Sequence, residues 1–455
     1  MSVIFLSELM NEIGQRGRNL LSWHREHPTD PADLCEILVS RRGEVSSFAL
    51  SEAILESWER LEAEDRVRFL VTIAQRFGPD AEAILDAIAT LGAEPDADAL
   101  YRLHRVSEPR TQELLRRLNM ADGGTRRLVR MREAVIEAIA QHPILRNLDG
   151  DFFHLFSSWF NRGFLELKPI NWSTPASILE KFIEYEAVHE INGWDDLRSR
   201  IEPGDRRLFA FFHPRMDDEP LIFVEVALTG AVPDNIGSLL ATSRKEIAPG
   251  EATTAVFYSI SNCQKGLRGI SFGNLLIKQV VEHLRSELPN LRSFVTLSPM
   301  PGFRPWLDRM LADGSRMPLP PEDMEAIAAM ATGGWPEDAE SRRSLGTLLQ
   351  GIASYYLIEV RDERNRVVDP VARFHLGNGA RLENIHPFAD LSGKGELGSY
   401  GVMVNYRYTM PEVEANHEAY AERGTVIASA AARNHLRRFL AQANKLRAAC
   451  RDLCG

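Results

Sequence analysis

Apolar and polar positions change their rhythm near residue 160. Before it, apolar residues recur at helical spacing. Residues 51–77 read as helical and stop at Gly78-Pro79, because a proline disfavours helix in the residue before it. Gly123-Gly124 breaks the chain again, and Thr125 is placed to cap the next helix. There Leu128, Met131, Val135, Ile136 and Ile139 share one face, and His142-Pro143 closes the run. The pattern predicts an all-α helical bundle over residues 1–160. Its apolar faces need one another or a second subunit, and no catalytic group stands out in it.

Beyond residue 160 helices and strands alternate. Thr174-Pro175 opens a helix through Ala187, and a second lies around 194–201. Strand-like runs follow at 207–212, 221–229 and 255–260, then a helix at 273–287 and a strand at 293–297. Residues 313–345, rich in Pro, Gly and acids, read as a mobile or helical insertion. Regular structure is expected again at 355–360, 372–376 and 401–408. Residues 418–450 read as largely helical. Their basic strip of Arg433, Arg437, Arg438, Lys445 and Arg447 is read as a solvated face, with contact to a nucleotide phosphate as the other reading. The whole is an α+β multidomain chain, its mixed α/β part covering 161–455.

Composition narrows the function. The 455 residues are 44% hydrophobic and 26% charged, ordinary globular values. A net charge of −11 argues against broad nucleic-acid binding. No run approaches the roughly 18 apolar residues of a membrane span. The N-terminus lacks a signal-peptide pattern, so the expected compartment is the cytoplasm. Cys35, Cys263, Cys450 and Cys454 form no CxxC pair and read as reduced thiols. No HxH, HExxH or carboxylate cluster suggests a metal.

The chemistry gathers in 264–306. Gln264, Lys265, Gly266, Leu267, Arg268, Gly269 and Ile270 form a loop between a strand and a helix. Glycines allow close backbone approach, and a helix start favours an anion. Lys265 and Arg268 add charge, so the loop reads as a phosphate cradle, with a plain connection as the alternative. Gly269-Ile270-Ser271-Phe272-Gly273 also matches the hydrolase nucleophile elbow. That motif needs a strand running straight into the turn, so Ser271 is a weak nucleophile candidate. Thr296 and Ser298 alternate with Val295 and Leu297, which puts both hydroxyls on one strand face. They are either sheet-edge polar groups or donors to a substrate. His375, read as following a strand and preceding a Gly-rich turn, is either structural or a general acid–base. His189, His283 and His386 have no constellation around them.

Seven segments together resemble the malonyl-CoA decarboxylase family. They are Glu186-Ala187-Val188-His189, Val226-Ala227-Leu228-Thr229-Gly230, Tyr258-Ser259-Ile260-Ser261, Gln264–Ile270, Leu297-Ser298-Pro299-Met300-Pro301-Gly302-Phe303, Phe374-His375-Leu376-Gly377-Asn378-Gly379-Ala380 and Val404-Asn405-Tyr406-Arg407-Tyr408. The resemblance implies a helical oligomerisation domain, giving a dimer or tetramer, and an N-acetyltransferase-like catalytic domain. It implies malonyl-CoA as substrate and acetyl-CoA and carbon dioxide as products. No cofactor is implied, coenzyme A being part of the substrate. The family's pyrophosphate loop maps onto 264–270, with Leu267 where a glycine is usual. Its Ser/Thr–His pair maps onto His375 with Ser298 or Thr296. An acyl-CoA-dependent acyltransferase and a non-enzymatic acyl-CoA-binding scaffold are the competing readings.

Overall fold

A computed structural model of the chain describes residues 30–40, 44–91, 95–270, 276–313, 319–331 and 338–454. They fall into two compact units. One is helical, runs to Glu166, and also takes in Phe212–Leu221 and residues 263–270; the other holds most of the remaining chain.

In the helical unit, the run expected at 51–77 is two helices, Glu44–Arg60 and Ala63–Arg76, parted at Leu61-Glu62. Thr125 does not cap the next helix. Gly123, at φ +56°, holds that position and the helix is Gly124–Ala138. A Cβ on Gly124 would stand 2.8 Å from the Leu118 carbonyl oxygen, so the glycine pair turns the chain where no side chain fits. Thr125 instead donates its hydroxyl to Asn119 Oδ1 at 2.7 Å.

The second unit is built on a mixed sheet, as the alternation predicts. Its strands are β1 (Glu166–Ile170), β2 (Arg206–Phe212), β3 (Pro220–Thr229), β4 (Thr254–Asn262), β5 (Ser293–Thr296), β6 (Ser298–Pro299), β7 (Arg381–His386) and β8 (Met403–Arg407). Their order is β1-β2-β3-β4-β5-β8-β6, with β7 also on β8. β3 is buried along nearly its whole length, which its unbroken Leu-Ile-Phe-Val run anticipates. The one acid in that run, Glu225, is fully buried and meets Arg200 Nη1 at 3.3 Å. Helix Trp194–Ile201 carries Arg200, which also donates to the carbonyls of His189 and Glu190 and to Asp196. Breaking such a buried cluster leaves an unpaired charge behind. Arg200→Leu should therefore lower stability by about 3 kcal/mol, read as a fall in the urea midpoint at constant slope. An unchanged midpoint would refute the role.

The region expected as an insertion contributes two helices, Pro321–Ala331 and Ala339–Ile358, and the second absorbs most of 355–360. Residues 372–376 are helical as well, within Pro370–Gly377. The end of the chain is two helices, Val413–Arg423 and Ala430–Cys454, parted at Gly424, whose φ is +64°.

Candidate active site

β4 and β5 pair in parallel only from Thr254↔Ser293 to Phe257↔Thr296. β4 then runs on to Asn262, while the other strand turns away so that Ser298 pairs with Val404 of β8. Among the described residues, no strand covers Tyr258–Asn262 on that side. The two strands part there, with β4 on one side and Ser298 on the other.

The two hydroxyls lie on one face, as their spacing requires. Ser298 Oγ donates to Thr296 Oγ1 at 2.9 Å, and Thr296 Oγ1 also accepts the Tyr406 N–H at 3.1 Å. Asn405 pins the same strand by donating to the Thr296 carbonyl at 2.8 Å. Its side-chain oxygen meets His386 Nε2 at 2.5 Å, which gives that histidine a structural partner.

His375 completes the cluster. It does not follow a strand: it lies in the last turn of helix Pro370–Gly377. Asp369 caps that helix through the N–H groups of Val371 and Ala372, and Pro370 takes the first position. This brings His375 Nε2 to 3.0 Å from Ser298 Oγ and Nδ1 to 2.9 Å from Tyr408 Oη. Because Ser298 gives its single proton to Thr296, Nε2 is the donor to Ser298. The Nδ1 lone pair then accepts from Tyr408. The imidazole also stacks on Tyr406 with ring centres 4.6 Å apart. Burial without a charged partner pushes its pKa down to about 3, so the ring is neutral in ordinary buffers. The arrangement is a dry chain of oriented donors with one neutral imidazole N–H at its centre.

The sequence pairing of Thr296, Ser298 and His375 thus meets in space, while Tyr408 and Tyr406 were missed as members. Alternation puts residues 406 and 408 on one face, but only the pairing of β8 with β5 and β6 brings that face to His375.

The cradle candidates belong to the helical unit. Lys265–Leu267 form one 3-10 turn on helix Gly124–Ala138. A Cβ on Gly266 would lie 1.9 Å from the Val129 carbonyl oxygen, so only glycine fits. Arg132 donates to the carbonyls of Gly266 and Arg268 at 2.9 and 3.1 Å. Leu267 and Ile270 are buried, and Gln264 donates to the Pro220 carbonyl at 3.0 Å. Lys265 pairs with Glu133 at 3.4 Å on the surface, Arg268 is exposed, and Gly269 takes φ +83°. Leu267, where the resemblance places a glycine, packs inward. Ser271 lies outside the described residues, as do the side chains of Lys445, Arg447, Cys450 and Cys454.

Among the described residues, no helix is long and apolar enough to cross a membrane, and no cluster of His, Cys, Asp or Glu could hold a metal ion.

The sequence model of the malonyl-CoA decarboxylase C-terminal domain matches residues 163–446, and that of the N-terminal domain matches 77–160. The mitochondrial malonyl-CoA decarboxylase of Rattus norvegicus is 34% identical over 395 residues, 79% of each chain. The crystal structure of the Rhodopseudomonas palustris malonyl-CoA decarboxylase is 52% identical. It superposes with a TM-score of 0.86 over 89% of this chain and 98% of that one. The Agrobacterium vitis enzyme is 53% identical, with a TM-score of 0.86 over 90% and 100%.

Proposed function

The chain belongs to the malonyl-CoA decarboxylase family, and from that premise we propose how its hydroxyl–histidine cluster converts malonyl-CoA to acetyl-CoA and carbon dioxide. The carbon–carbon bond to the carboxylate breaks, carbon dioxide leaves, and the electron pair moves onto the thioester carbonyl as an enolate. The thioester is itself the electron sink, so the step requires no cofactor. The enolate is then protonated at carbon, so that one proton is consumed per turnover.

The observation that carries this reading is the 3.0 Å contact between Ser298 Oγ and His375 Nε2 beside the opening of the sheet. An extended pantetheine arm fits beside β4 beyond Phe257, where β5 has turned away, as an added strand would. Ser298 turns its hydroxyl from Thr296 to the developing enolate oxygen, a donor preorganised out of water. His375 gives its Nε2 proton to the carbon. A thioester enolate is a far stronger base than imidazolate, so the neutral ring is acid enough, and solvent restores the proton after release. Thr296, fully buried with two donors already on its oxygen, serves as the seat for Ser298. Lys265 and Arg268 remain the cations of the loop that can face a pyrophosphate.

Incubation with malonyl-CoA alone tests the reaction: equal amounts of carbon dioxide and acetyl-CoA should form without any amine acceptor. Acyl transfer to an added amine with no carbon dioxide would reject it in favour of a transferase.

The helical unit supports self-association. Leu85 and Ile88 on helix Ala81–Ala89 and Leu100 and Tyr101 on helix Ala97–Ser107 are all at least half exposed. Apolar groups this bare on neighbouring helices suit a second copy. Light scattering should give at least twice the chain mass of 51.2 kDa, and Leu85→Glu with Tyr101→Glu should reduce it. A monomeric wild type would refute the assignment.

A further inference from the structure

The sheet unit also carries an open cavity of about 770 Å³, a size typical of small-molecule sites. Ile236 and Ala389 line it and belong to one buried cluster with Leu297, the residue between Thr296 and Ser298. Neighbouring side chains on a strand point to opposite faces. The cavity therefore backs onto the face away from the two hydroxyls, and it contains neither Ser298 nor His375.

Its chemistry is uneven. Val188, Leu240, Phe388 and Leu391 give apolar walls, while Arg342 and Lys394 bring two cations. The Arg342 guanidinium lies 4.9 Å from the centre of the Phe388 ring and makes no ion pair among the described residues. A guanidinium resting on a ring keeps its fork of N–H groups available for a planar, two-oxygen acceptor. Lys394 Nζ is held by the carbonyls of Ala187 and Val188, which leaves one ammonium N–H of three. Two acids also line the cavity. Asp390 is folded back on its own loop, where it accepts the Ser392 N–H at 3.0 Å, and Glu190 is exposed. His189, nine-tenths buried, also contributes to the wall. Burial holds its ring neutral, the pKa pushed down to about 4, so it adds no charge to the cavity.

We propose that this cavity is a second ligand site, taking a small organic carboxylate whose anionic end meets Arg342 and Lys394 and whose apolar body lies against Phe388 and Leu391. The proposal is independent of the decarboxylation mechanism, and its test separates the two. Sodium butyrate titrated calorimetrically into the intact protein should bind once per chain. Arg342→Gln, a change at an exposed side chain, should raise the Kd at least about tenfold. His375→Asn should leave the Kd unchanged, and equimolar inorganic phosphate should not compete. The proposal is overturned if butyrate shows no binding up to about 10 mM. It is equally overturned if Arg342→Gln binds as wild type, if phosphate displaces butyrate, or if His375→Asn abolishes binding and so places the anion at the catalytic cluster.

Discussion

His375→Asn should lower kcat for malonyl-CoA decarboxylation by about 10³-fold, within the usual contribution of a positioned acid–base group. KM should change little, because the imidazole acts on the enolate and not on the coenzyme A arm. Asparagine preserves a donor near Ser298 but cannot deliver a proton to carbon, so it separates packing from chemistry. Undiminished turnover would reject His375 as the acid. The same residue has a pH signature. In the folded chain its pKa is about 3, against 6.5 for an unperturbed histidine. Between those values the unfolded chain holds more protons, so this group's contribution to stability falls as pH drops from 6.5 towards 3. Acidification from pH 7 to pH 5 should therefore lower the melting temperature of wild type more than that of His375→Asn. The rate profile should show no inflection near 6.5 from this group.

The second large effect divides the two hydroxyls. Ser298→Ala removes the donor aimed at the enolate oxygen and should lower kcat about 10²-fold, the order seen for a lost oxyanion donor. Its stability should also fall, by about 1–3 kcal/mol, because the buried His375 Nε2–H loses its acceptor. Thr296→Val acts differently. It leaves the buried Tyr406 N–H without an acceptor and takes away the seat of the Ser298 proton. Its main expected loss is about 1–3 kcal/mol of stability, the cost of an unsatisfied buried donor, with a smaller fall in turnover. Urea unfolding measured beside steady-state kinetics distinguishes them. If Thr296→Val slows decarboxylation more than Ser298→Ala, the roles given to the two residues are reversed.

The strands at 207–212, 221–229 and 255–260 were legible because long apolar runs with turns between them leave few alternatives. The shared face of Thr296 and Ser298 was legible for the same local reason. The helix under His375 was misread. Phe374-His375-Leu376 looks like strand in isolation, yet Asp369-Pro370 a few residues earlier is a helix start. Tyr408 was hidden by distance. Its bond to His375 spans 33 positions, and only the pairing of β8 with β5 and β6 sets the side chain there. The inward packing of the 264–270 loop was illegible because Val129 and Arg132, which receive it, lie more than 130 positions earlier. The cationic wall at Arg342 was likewise invisible, since a segment rich in acids gives no sign of one exposed guanidinium over an aromatic ring.

That Gly266 seat bears on how the polypeptide matures. The helical unit recruits residues 212–221 and 263–270, so its set of contacts stays open until about 270 residues have been synthesised. Arg132, almost wholly buried in the finished unit, has two of its acceptors on that late segment. Domains ordinarily fold as units, N-terminal first, as they leave the ribosome. Here the leading unit waits for sequence that arrives after β2, β3 and β4 have been made. A chain cut at residue 160 would retain the helices but not the clasp over Val129, and would be prone to association through that bare surface.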